Sequence, residues 1–457
     1  MGLEIAIMLK IPAIWCLFLI LSACRPSRQP ASGGPVTDPA ISSDSLKNKV
    51  MTVVSTPIST ARTDEFMENL LGAHSDLFAN ILARRQDLKV QVIYTQINRN
   101  ADNTPVFTPY YFNVDANNYY YPASTVKMPV ALLALEKIRE LGIAALTPNS
   151  AMLTGTASAA QTAVLNDPNT PDGVPTLAGY IKKIFLVSDN DAFNRLYEFL
   201  GQERINEKLA AKRYPSANIY HRLALPLSEA ENRLTNPVQF SDSLGNMLYS
   251  QPPVTSKLTY ATRKDMIGKG YINGTQIVNQ PLDFSRKNRF GLEDMTKVLR
   301  SILFPESLPA AERFNISGED YRFVWKYMSQ LPGESSSPAY PAPDYWPTYV
   351  KFLYYGSDPK AVPDTRRLRI FNKVGDAYGF LTDVAYIVDF DSGIEFMLSA
   401  TIYCNEDGIL NDDKYDYDTI GYPFMKNLGQ VIYDYETKRE RKQKPDLSAF
   451  RLDYDKR

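Results

Sequence analysis

The stretch ASTVKMPVALLALEKIREL, residues 123–141, carries a strong helical pattern, with leucines and Ile138 on its apolar side. Ser124 and Lys127 stand three residues apart at its start, so both side chains project from one face of the predicted helix. The N–H of Ser124 lies at the positive end of the helix dipole, where an oxyanion is favoured. A lysine that is partly desolvated beside a serine can lose its proton near neutral pH and act as a base. Ser124 is therefore a candidate nucleophile and Lys127 its candidate base.

Helix and strand patterns surround this segment on both sides. Helical patterns cover residues 64–84, most of 148–310 and 423–436. Strand patterns cover residues 90–97, 106–112, 380–390 and 394–403. The last two flank Asp391-Ser392-Gly393, which is a hairpin signal. The predicted fold class is α/β of the α+β type: an antiparallel sheet of about five strands formed by both chain ends, covered by helices, with a mainly helical second subdomain.

Two further motifs carry residues suited to the same chemistry. Ser188-Asp189-Asn190 follows an apolar run and precedes a helical pattern, a position where short polar side chains also serve as helix caps. Lys373-Val374-Gly375 directly precedes the predicted hairpin. A lysine on an edge strand that faces a cleft can hold an anionic substrate group, and Gly375 would let a ligand approach the backbone closely.

In their order Ser-x-x-Lys, Ser-Asp-Asn and Lys-x-Gly, the three motifs resemble the signature of class A β-lactamases and penicillin-binding proteins, over about residues 64–435. The resemblance implies a serine hydrolase that forms an acyl-enzyme. The roles it implies are acylated nucleophile for Ser124, general base or proton relay for Lys127, proton donor to the leaving nitrogen for Ser188, substrate-amide contact for Asn190, and support of Ser188 and of the substrate carboxylate for Lys373. The implied oxyanion hole consists of the backbone N–H groups of Ser124 and Asp376.

The chain departs from this family pattern in two motifs. The family's loop with a water-activating glutamate corresponds to Glu231-Asn-Arg-Leu-Thr-Asn236, which has one extra residue before the asparagine. Glu231 is the candidate base for deacylation, Glu229 the second candidate, and Asn236 would help to hold the water; a solvated loop glutamate is the alternative. Val374 replaces the hydroxyl residue that binds the substrate carboxylate in the relatives, and Asp376 adds a negative charge beside that site.

The spacing of the motifs indicates insertions. Lys373 follows Ser188 by 185 residues, more than a minimal domain of this family needs. The excess falls at about 241–288 and 330–364, and these segments either rim the cleft or form passive surface loops. One hydrolase domain is expected over 51–437, followed by a charged tail over 438–457, of which residues 438–444 are expected to be solvated.

The N-terminal residues predict a lipid anchor. An apolar run follows Lys10 and ends in Leu21-Ser22-Ala23-Cys24, which resembles a bacterial lipobox whose cysteine is acylated. An ordinary signal peptide with a chance cysteine is the alternative. We expect a signal segment over 1–23, a flexible tether over 24–50, and a location in the bacterial cell envelope, facing the periplasm or the exterior. The lipid would be the only contact with the membrane.

Charge and the numbers of histidines and cysteines argue against several kinds of partner and site. The formal net charge of −1 provides no electrostatic basis for nucleic acid as a partner. His74 and His221 are the only histidines and neither belongs to a local motif, so a histidine base, a metal site and a cofactor are not expected. After loss of the signal and acylation of Cys24, Cys404 is the only free cysteine, so no intrachain disulfide is expected.

Three functions remain open from the sequence. The first is β-lactam hydrolysis, with acylation of Ser124 and deacylation by water that Glu231 activates. The second is a D-Ala-D-Ala peptidase or related hydrolase, which a cell-wall peptide acylates and which releases β-lactams slowly. The third is an envelope lipoprotein that acts as a binding module with little turnover. Val374 and the extra residue in the Glu231 loop favour the second and third functions.

Overall fold

The computed structural model of the chain describes residues 61–455, so the predicted signal segment, the tether and Cys24 lie outside the described residues. The helices are α1 Glu65–Gly72, α2 Ser75–Ala83, α3 Lys127–Leu141, α4 Leu177–Val187, α5 Asn190–Leu200, α6 Gln202–Ala211, α7 Glu229–Arg233, α8 Leu292–Leu303, α9 Gly318–Ser329 and α10 Tyr422–Lys438. The strands are β1 Gln91–Arg99, β2 Pro105–Phe112, β3 Ala151–Thr154, β4 Val238–Ser241, β5 Met247–Gln251, β6 Met266–Ile267, β7 Gly270–Asn273, β8 Gln276–Val278, β9 Leu282–Asp283, β10 Leu368–Ala377, β11 Phe380–Asp389, β12 Ile394–Tyr403 and β13 Ile409–Leu410. Within residues 61–455, none of the helices has the length and apolar character that a membrane crossing requires.

A five-stranded antiparallel sheet in the order β10-β11-β12-β1-β2 forms the centre of the fold. Strands from both chain ends meet where β1 pairs with β12, with Tyr94 opposite Leu398. Every residue of β11 and β12 is buried, because helices cover both faces of the sheet. Helices α2 and α10 pack on one face and α8 packs on the other. The predicted fold, an α+β chain with a five-stranded sheet built from both ends, is confirmed.

The helical subdomain is built around α3. Helices α4, α5 and α6 pack against it, and the turn before it contacts β10. The sequence predicts one apolar side for this helix, whereas all residues from Lys127 to Ile138 are buried. The polar members of this buried run are paired, as burial of a charge requires. Glu136, for example, forms ion pairs with Lys208 and Lys212 of the neighbouring segment.

The helical pattern over 64–84 forms two helices rather than one. α1 ends at Gly72 and α2 begins at Ser75. The turn between them allows Leu71 and Phe78 to enter the same core on one face of the sheet. One straight helix could not keep all of its apolar residues against a twisted sheet. The segment therefore forms two helices with a turn between them.

Both predicted insertions are fastened to the rest of the domain. Residues 241–288 contain the short strands β5 to β9, and β7 pairs in parallel with β13, which lies in the loop after β12. Residues 330–364 contain neither an α-helix nor a β-strand. Lys351 holds this segment to the sheet, because its buried ammonium donates to the carbonyl of Ile370 and to Asn372 Oδ1.

The chain after α10 is only partly solvated. The lysines of residues 438–444 are exposed as predicted, but Arg439 and Arg441 are not, because both form ion pairs with the buried Glu436. Further along, Phe450 is buried and packs against the ring of Tyr386 on β11. The tail therefore contributes to the core.

Candidate active site

Ser124 lies in the 3-10 turn Ala123–Val126, which precedes α3, so the α-helix begins later than the sequence predicts. Pro122 organises this turn, since its carbonyl accepts hydrogen bonds from the Thr125 N–H at 3.1 Å and from the Thr125 hydroxyl at 2.7 Å. Ala123 has a φ of 46°, a left-handed conformation that is uncommon outside glycine. Thr125 and Val126 are fully buried, whereas Ser124 is half-buried and lines a cavity. The turn therefore places Ser124 on the lining of this cavity.

Gly375 on β10 fits against the turn that carries Ser124. A Cβ atom at this position would lie 2.7 Å from the Pro122 carbonyl oxygen, 2.9 Å from Ser124 N and 3.0 Å from Thr125 N. All three are backbone atoms, which have little room to shift in a packed interior. The sequence predicts that a ligand approaches the backbone here; the structure shows the turn of Ser124 in that place.

Lys127 lies at the first position of α3 and is fully buried. Its ammonium donates to Asn190 Oδ1 at 2.7 Å, to Ser188 Oγ at 3.4 Å, and to the Ser188 carbonyl oxygen. Burial lowers the pKa of Lys127 well below its usual value, and the nearby Lys373 lowers it further. Both effects favour the neutral form of Lys127, which is the form that can accept a proton.

Ser188 occupies the junction between α4 and α5. Its φ of 60° ends α4 in a left-handed turn, and the Asp189 side chain then caps α5 by accepting the Ala192 N–H at 2.7 Å. The capping role noted for this motif in the sequence therefore belongs to Asp189. Ser188 and Asn190, on either side of the cap, point towards Lys127 and contact its ammonium.

Lys373 reaches the same serine from the sheet. It lies on β10, an edge strand as predicted, and its Nζ donates to Ser188 Oγ and to the Val374 carbonyl oxygen, both at 2.8 Å. Burial lowers the pKa of Lys373 to about 7, although the carboxylates of Asp376 and Asp383 favour its charged form. Two lysines from different elements thus share one hydroxyl, which forms a short route for proton transfer.

Val374 and Asp376, the residues on either side of Gly375, have different surroundings. Val374 is 1% exposed and belongs to the core on the opposite face of the sheet, because successive side chains of a strand alternate between faces. Asp376 lies two residues further along β10, on the strand face of Val374, and lines the cavity together with Ser124. Desolvation raises the pKa of Asp376, and Lys373 and Lys127 act in the opposite direction.

Glu231 is not brought to this cavity. It lies in α7, where it forms a capping box with Ser228: its carboxylate accepts hydrogen bonds from the Ser228 N–H and hydroxyl, each at 2.7 Å. These hydrogen bonds lower the pKa of Glu231. Glu229, the second candidate, pairs with Arg233 at 2.9 Å. Both carboxylates therefore have structural partners outside the cavity.

The Asn236 side chain is also held by hydrogen bonds outside the cavity. It is fully buried, and its Nδ2 donates to the carbonyl oxygens of Gly155 at 2.7 Å and Thr162 at 3.1 Å. Its Oδ1 accepts from Arg222 at 3.3 Å. These bonds fasten the loop after α7 to the segment after β3. The Asn236 side chain is thus fully engaged away from Ser124.

The cavity beside Ser124 has a volume of about 410 Å³ and an aromatic wall that sequence reasoning missed. Its lining includes the tyrosines Tyr121, Tyr378, Tyr415 and Tyr417 and the acidic residues Asp376 and Asp413. Tyr378 lies in the two-residue turn between β10 and β11, with a φ of 54°. The available signal in the sequence was Tyr378-Gly379 directly before the predicted strand 380–390, because Gly is usual in a tight turn between strands.

His221 does not supply a base to this site. Its ring lies parallel to that of Tyr121, with the centroids 6.2 Å apart. Nδ1 bonds to the Arg222 carbonyl oxygen at 2.6 Å, and Nε2 accepts the Asn288 N–H at 3.1 Å. Burial lowers the pKa of His221 to about 4. Both nitrogens of the neutral ring are therefore occupied.

Residues 75–313, just over half of the chain, match the model of a family described as the beta-lactamase enzyme family. The matched range includes Ser124, Lys127 and Ser188 and ends before Lys373. Among solved structures, the chain is similar to a beta-lactamase from Sphaerobacter thermophilus, with 12% identity and a TM-score of 0.44, covering 83% of this chain and 100% of the other.

Two other solved structures give similar values. A beta lactamase from Xanthomonas campestris has 12% identity and a TM-score of 0.41, covering 78% of this chain and 97% of the other. A class A beta-lactamase from Clostridium kluyveri has 11% identity and a TM-score of 0.41, covering 79% and 98%. No curated protein matches the sequence.

Proposed function

Because the chain belongs to the beta-lactamase enzyme family, and so to a superfamily of serine hydrolases that includes the penicillin-binding proteins, we propose that β-lactams acylate Ser124. The observation that carries this proposal is the pair of buried lysines, Lys127 and Lys373, on the Ser188 hydroxyl. Burial of two ammonium groups is unfavourable, so such a pair is expected only where the charges are neutralised or where the lysines have a function in the site. Transfer of protons among the groups beside a nucleophile is one such function.

The proposed reaction has two halves. Neutral Lys127 takes the hydroxyl proton of Ser124 as Ser124 Oγ bonds to the lactam carbonyl carbon. The carbon–nitrogen bond then breaks, and the leaving nitrogen takes a proton through Ser188, whose hydroxyl Lys373 contacts at 2.8 Å. Addition of water to the resulting ester releases the acid and restores the Ser124 hydroxyl. The turnover rate therefore depends on whether a base activates that water.

A long-lived acyl-enzyme, as in a D-Ala-D-Ala peptidase or penicillin-binding hydrolase, is the second candidate. The hydrogen bonds of Glu231 to Ser228 favour it over rapid β-lactam hydrolysis, because they occupy the predicted water-activating carboxylate in a helix cap. For Glu231 to reach the ester, this cap would have to open, which costs about 0.5–2 kcal/mol for a typical N-cap.

Intact-mass measurement over time after mixing with benzylpenicillin tests the proposal. An adduct that disappears indicates β-lactamase turnover, and an adduct that persists indicates the peptidase type. Ser124→Ala should form no adduct while keeping the melting temperature of the wild type. An adduct on Ser124→Ala would overturn the assignment of the nucleophile, and no adduct on the wild type would leave only the binding-module function.

We also propose that the protein is a membrane-anchored lipoprotein of the cell envelope, on the strength of Leu21-Ser22-Ala23-Cys24. Acyl chains on Cys24 would hold the enzyme at the membrane surface without a spanning helix. Cys24→Ser should leave the chain unprocessed or release it from the membrane fraction. Membrane fractionation of this variant at the mature size would contradict the anchor.

A further inference from the structure

The cavity beside Ser124 has two sides that differ in chemistry. Lys373, Gly375 and Ala377 follow one another on the same face of β10, at about 6–7 Å per pair of residues. Lys373 contacts Ser188, and Gly375 lies against the turn of Ser124. Ala377 and the following turn therefore lie beyond Ser124, on the side away from Ser188. Ser188 marks the side of the leaving group, so the Ala377 side receives the acyl half of a substrate.

The acyl side of the cavity is acidic and aromatic. Asp376 and Asp413 both line it, and neither lysine nor arginine is among the described residues of the lining. Lys127 and Lys373 lie behind the wall and direct their ammonium groups to Ser188 and its neighbours. Within residues 61–455 we find no hydrogen bond to the Asp376 carboxylate. This carboxylate therefore has unused hydrogen-bonding capacity for a substrate, although Lys373 and Lys127 attract it through space.

Aromatic rings complete the same wall. The ring of Tyr378 lies 5.2 Å from Tyr121, and the ring of Tyr415 lies 5.5 Å from Tyr417. Tyrosine faces attract cations, and several rings around one space form the usual receptor for an alkylammonium group. A substrate carboxylate at this position would meet two negative charges instead. Lys287 lies 5.9 Å from the centroid of the Tyr378 ring, so this ring already contacts one cation. The rings and the two acidic residues together favour a cation and oppose an anion.

The insertion over 241–288 holds this wall in place. Phe284 of the insertion is fully buried and packs on the rings of Tyr121 and Tyr378, 5.8 and 5.2 Å away. Strand β7 of the same insertion pairs with β13, directly before the lining residues Asn411 and Asp413. Of the two alternatives that the sequence leaves open for this insertion, its contacts favour the rim of the cleft.

We propose that the acyl half of the substrate carries a positively charged amine, which binds between Asp376, Asp413 and the surrounding tyrosine rings. The inference rests on the proposed acylation of Ser124 and names the substrate class of that site.

Three penicillins form a matched probe set, because they share the leaving half and a phenylacetyl-type side chain. The side-chain α-carbon carries hydrogen in benzylpenicillin, an ammonium group in ampicillin and a carboxylate in carbenicillin. Binding is measured by calorimetry on the full chain with Ser124→Ala, which cannot be acylated, at about pH 6.5, where the amine is protonated. Ampicillin should bind about tenfold more tightly than carbenicillin, with benzylpenicillin between them.

Asp376→Asn, added to Ser124→Ala, should reduce the ampicillin-to-carbenicillin affinity ratio by about tenfold, and Asp413→Asn should reduce it in the same direction. Asp391→Asn is the matched control: this exposed aspartate follows the far end of β11, about 30 Å along the strand from the cavity, and should leave the ratio unchanged. Melting temperatures establish that each variant is folded.

The outcomes separate the inference from the proposed function. Carbenicillin binding as tightly as ampicillin, an unchanged ratio in both cavity variants, or no measurable binding of ampicillin would each overturn the inference. The acylation proposal is judged separately, by the adduct that benzylpenicillin forms on the wild type. A Ser124-dependent adduct together with a preference for carbenicillin would therefore reject the amine-bearing substrate and keep the hydrolase.

Discussion

At the scale of single residues, the central feature is the competition between burial and charge at the two lysines. Lys127 and Lys373 are 0% and 2% exposed, and each contacts the half-buried Ser188 hydroxyl. Mutual repulsion and desolvation both favour loss of a proton from this pair. The hydrogen bonds to Asn190 and to backbone carbonyls keep the side chains in position whichever of them is charged.

The free energy of unfolding should depend on pH because of this competition between burial and charge. The pKa of Lys373 is about 7 in the folded chain and near its ordinary value when unfolded, so the unfolded state binds more protons between these values. The free energy of unfolding should therefore rise with pH above about 7, by at most about 1.4 kcal/mol per pH unit from this group. Lys373→Met removes the group. Denaturant titrations from about pH 6.5 to 9 should show the wild type gaining stability relative to the variant, and parallel curves would contradict the lowered pKa.

Glu231 provides the complementary test of deacylation. Its carboxylate is engaged with Ser228 outside the cavity, so Glu231→Gln should deacylate at nearly the wild-type rate. Glutamine also serves in a capping box, so stability should change little. Decay of the acyl-enzyme, followed by intact mass, provides the measurement. A loss of about 10²-fold or more in deacylation with acylation unchanged would instead identify Glu231 as the general base.

At the scale of secondary-structure elements, the site depends on the close packing of β10 against the 3-10 turn before α3. Gly375→Ala introduces a Cβ within 3.0 Å of three backbone atoms of this turn. The expected loss is about 1–3 kcal/mol of unfolding free energy, together with slower acylation because β10 and Ser124 move apart.

Gly318→Ala at the start of α9 is the matched control for this prediction, because nothing lies within 4 Å of its added methyl group. It should be neutral or slightly stabilising, since alanine has the higher helix propensity. The comparison uses thermal unfolding and the rate of penicillin labelling. Equal behaviour of the two variants would mean that β10 and the turn are not in tight contact.

At the scale of the whole molecule, the segment after α10 closes the domain. Phe450 packs against Phe304, Phe371 and Tyr386, and so joins the tail to the residue that follows α8 and to two strands of the sheet. Phe450→Ala should lower the free energy of unfolding by about 3–5 kcal/mol, the usual cost of emptying an aromatic core position. Leu244→Ala, at a residue that is 85% exposed, should change it by less than about 0.5 kcal/mol. Chemical denaturation measures both, and a small effect at Phe450 would show that the tail is dispensable.

The sequence by itself determined the sheet, the central helix and the members of the lysine–serine cluster. Alternation and helical spacing are local properties, so they predict β1, β11, β12 and α10 closely. The motifs of Ser124, Ser188 and Lys373 are each common local patterns, and the prediction came from their order along the chain, which resembles the signature of one family.

Only the tertiary structure decided which groups face the cavity. Glu231 and Asn236 have the residue types that the loop needs, yet neighbouring hydrogen bonds turn both of them to structural use. Conversely, Tyr378 and Asp413 come from a turn and a loop that no motif marks, and contacts with a distant insertion bring them beside Ser124. The physical reason is that the partners of a side chain are long-range in sequence. A local sequence pattern indicates that a side chain can react, whereas tertiary packing decides which groups it contacts.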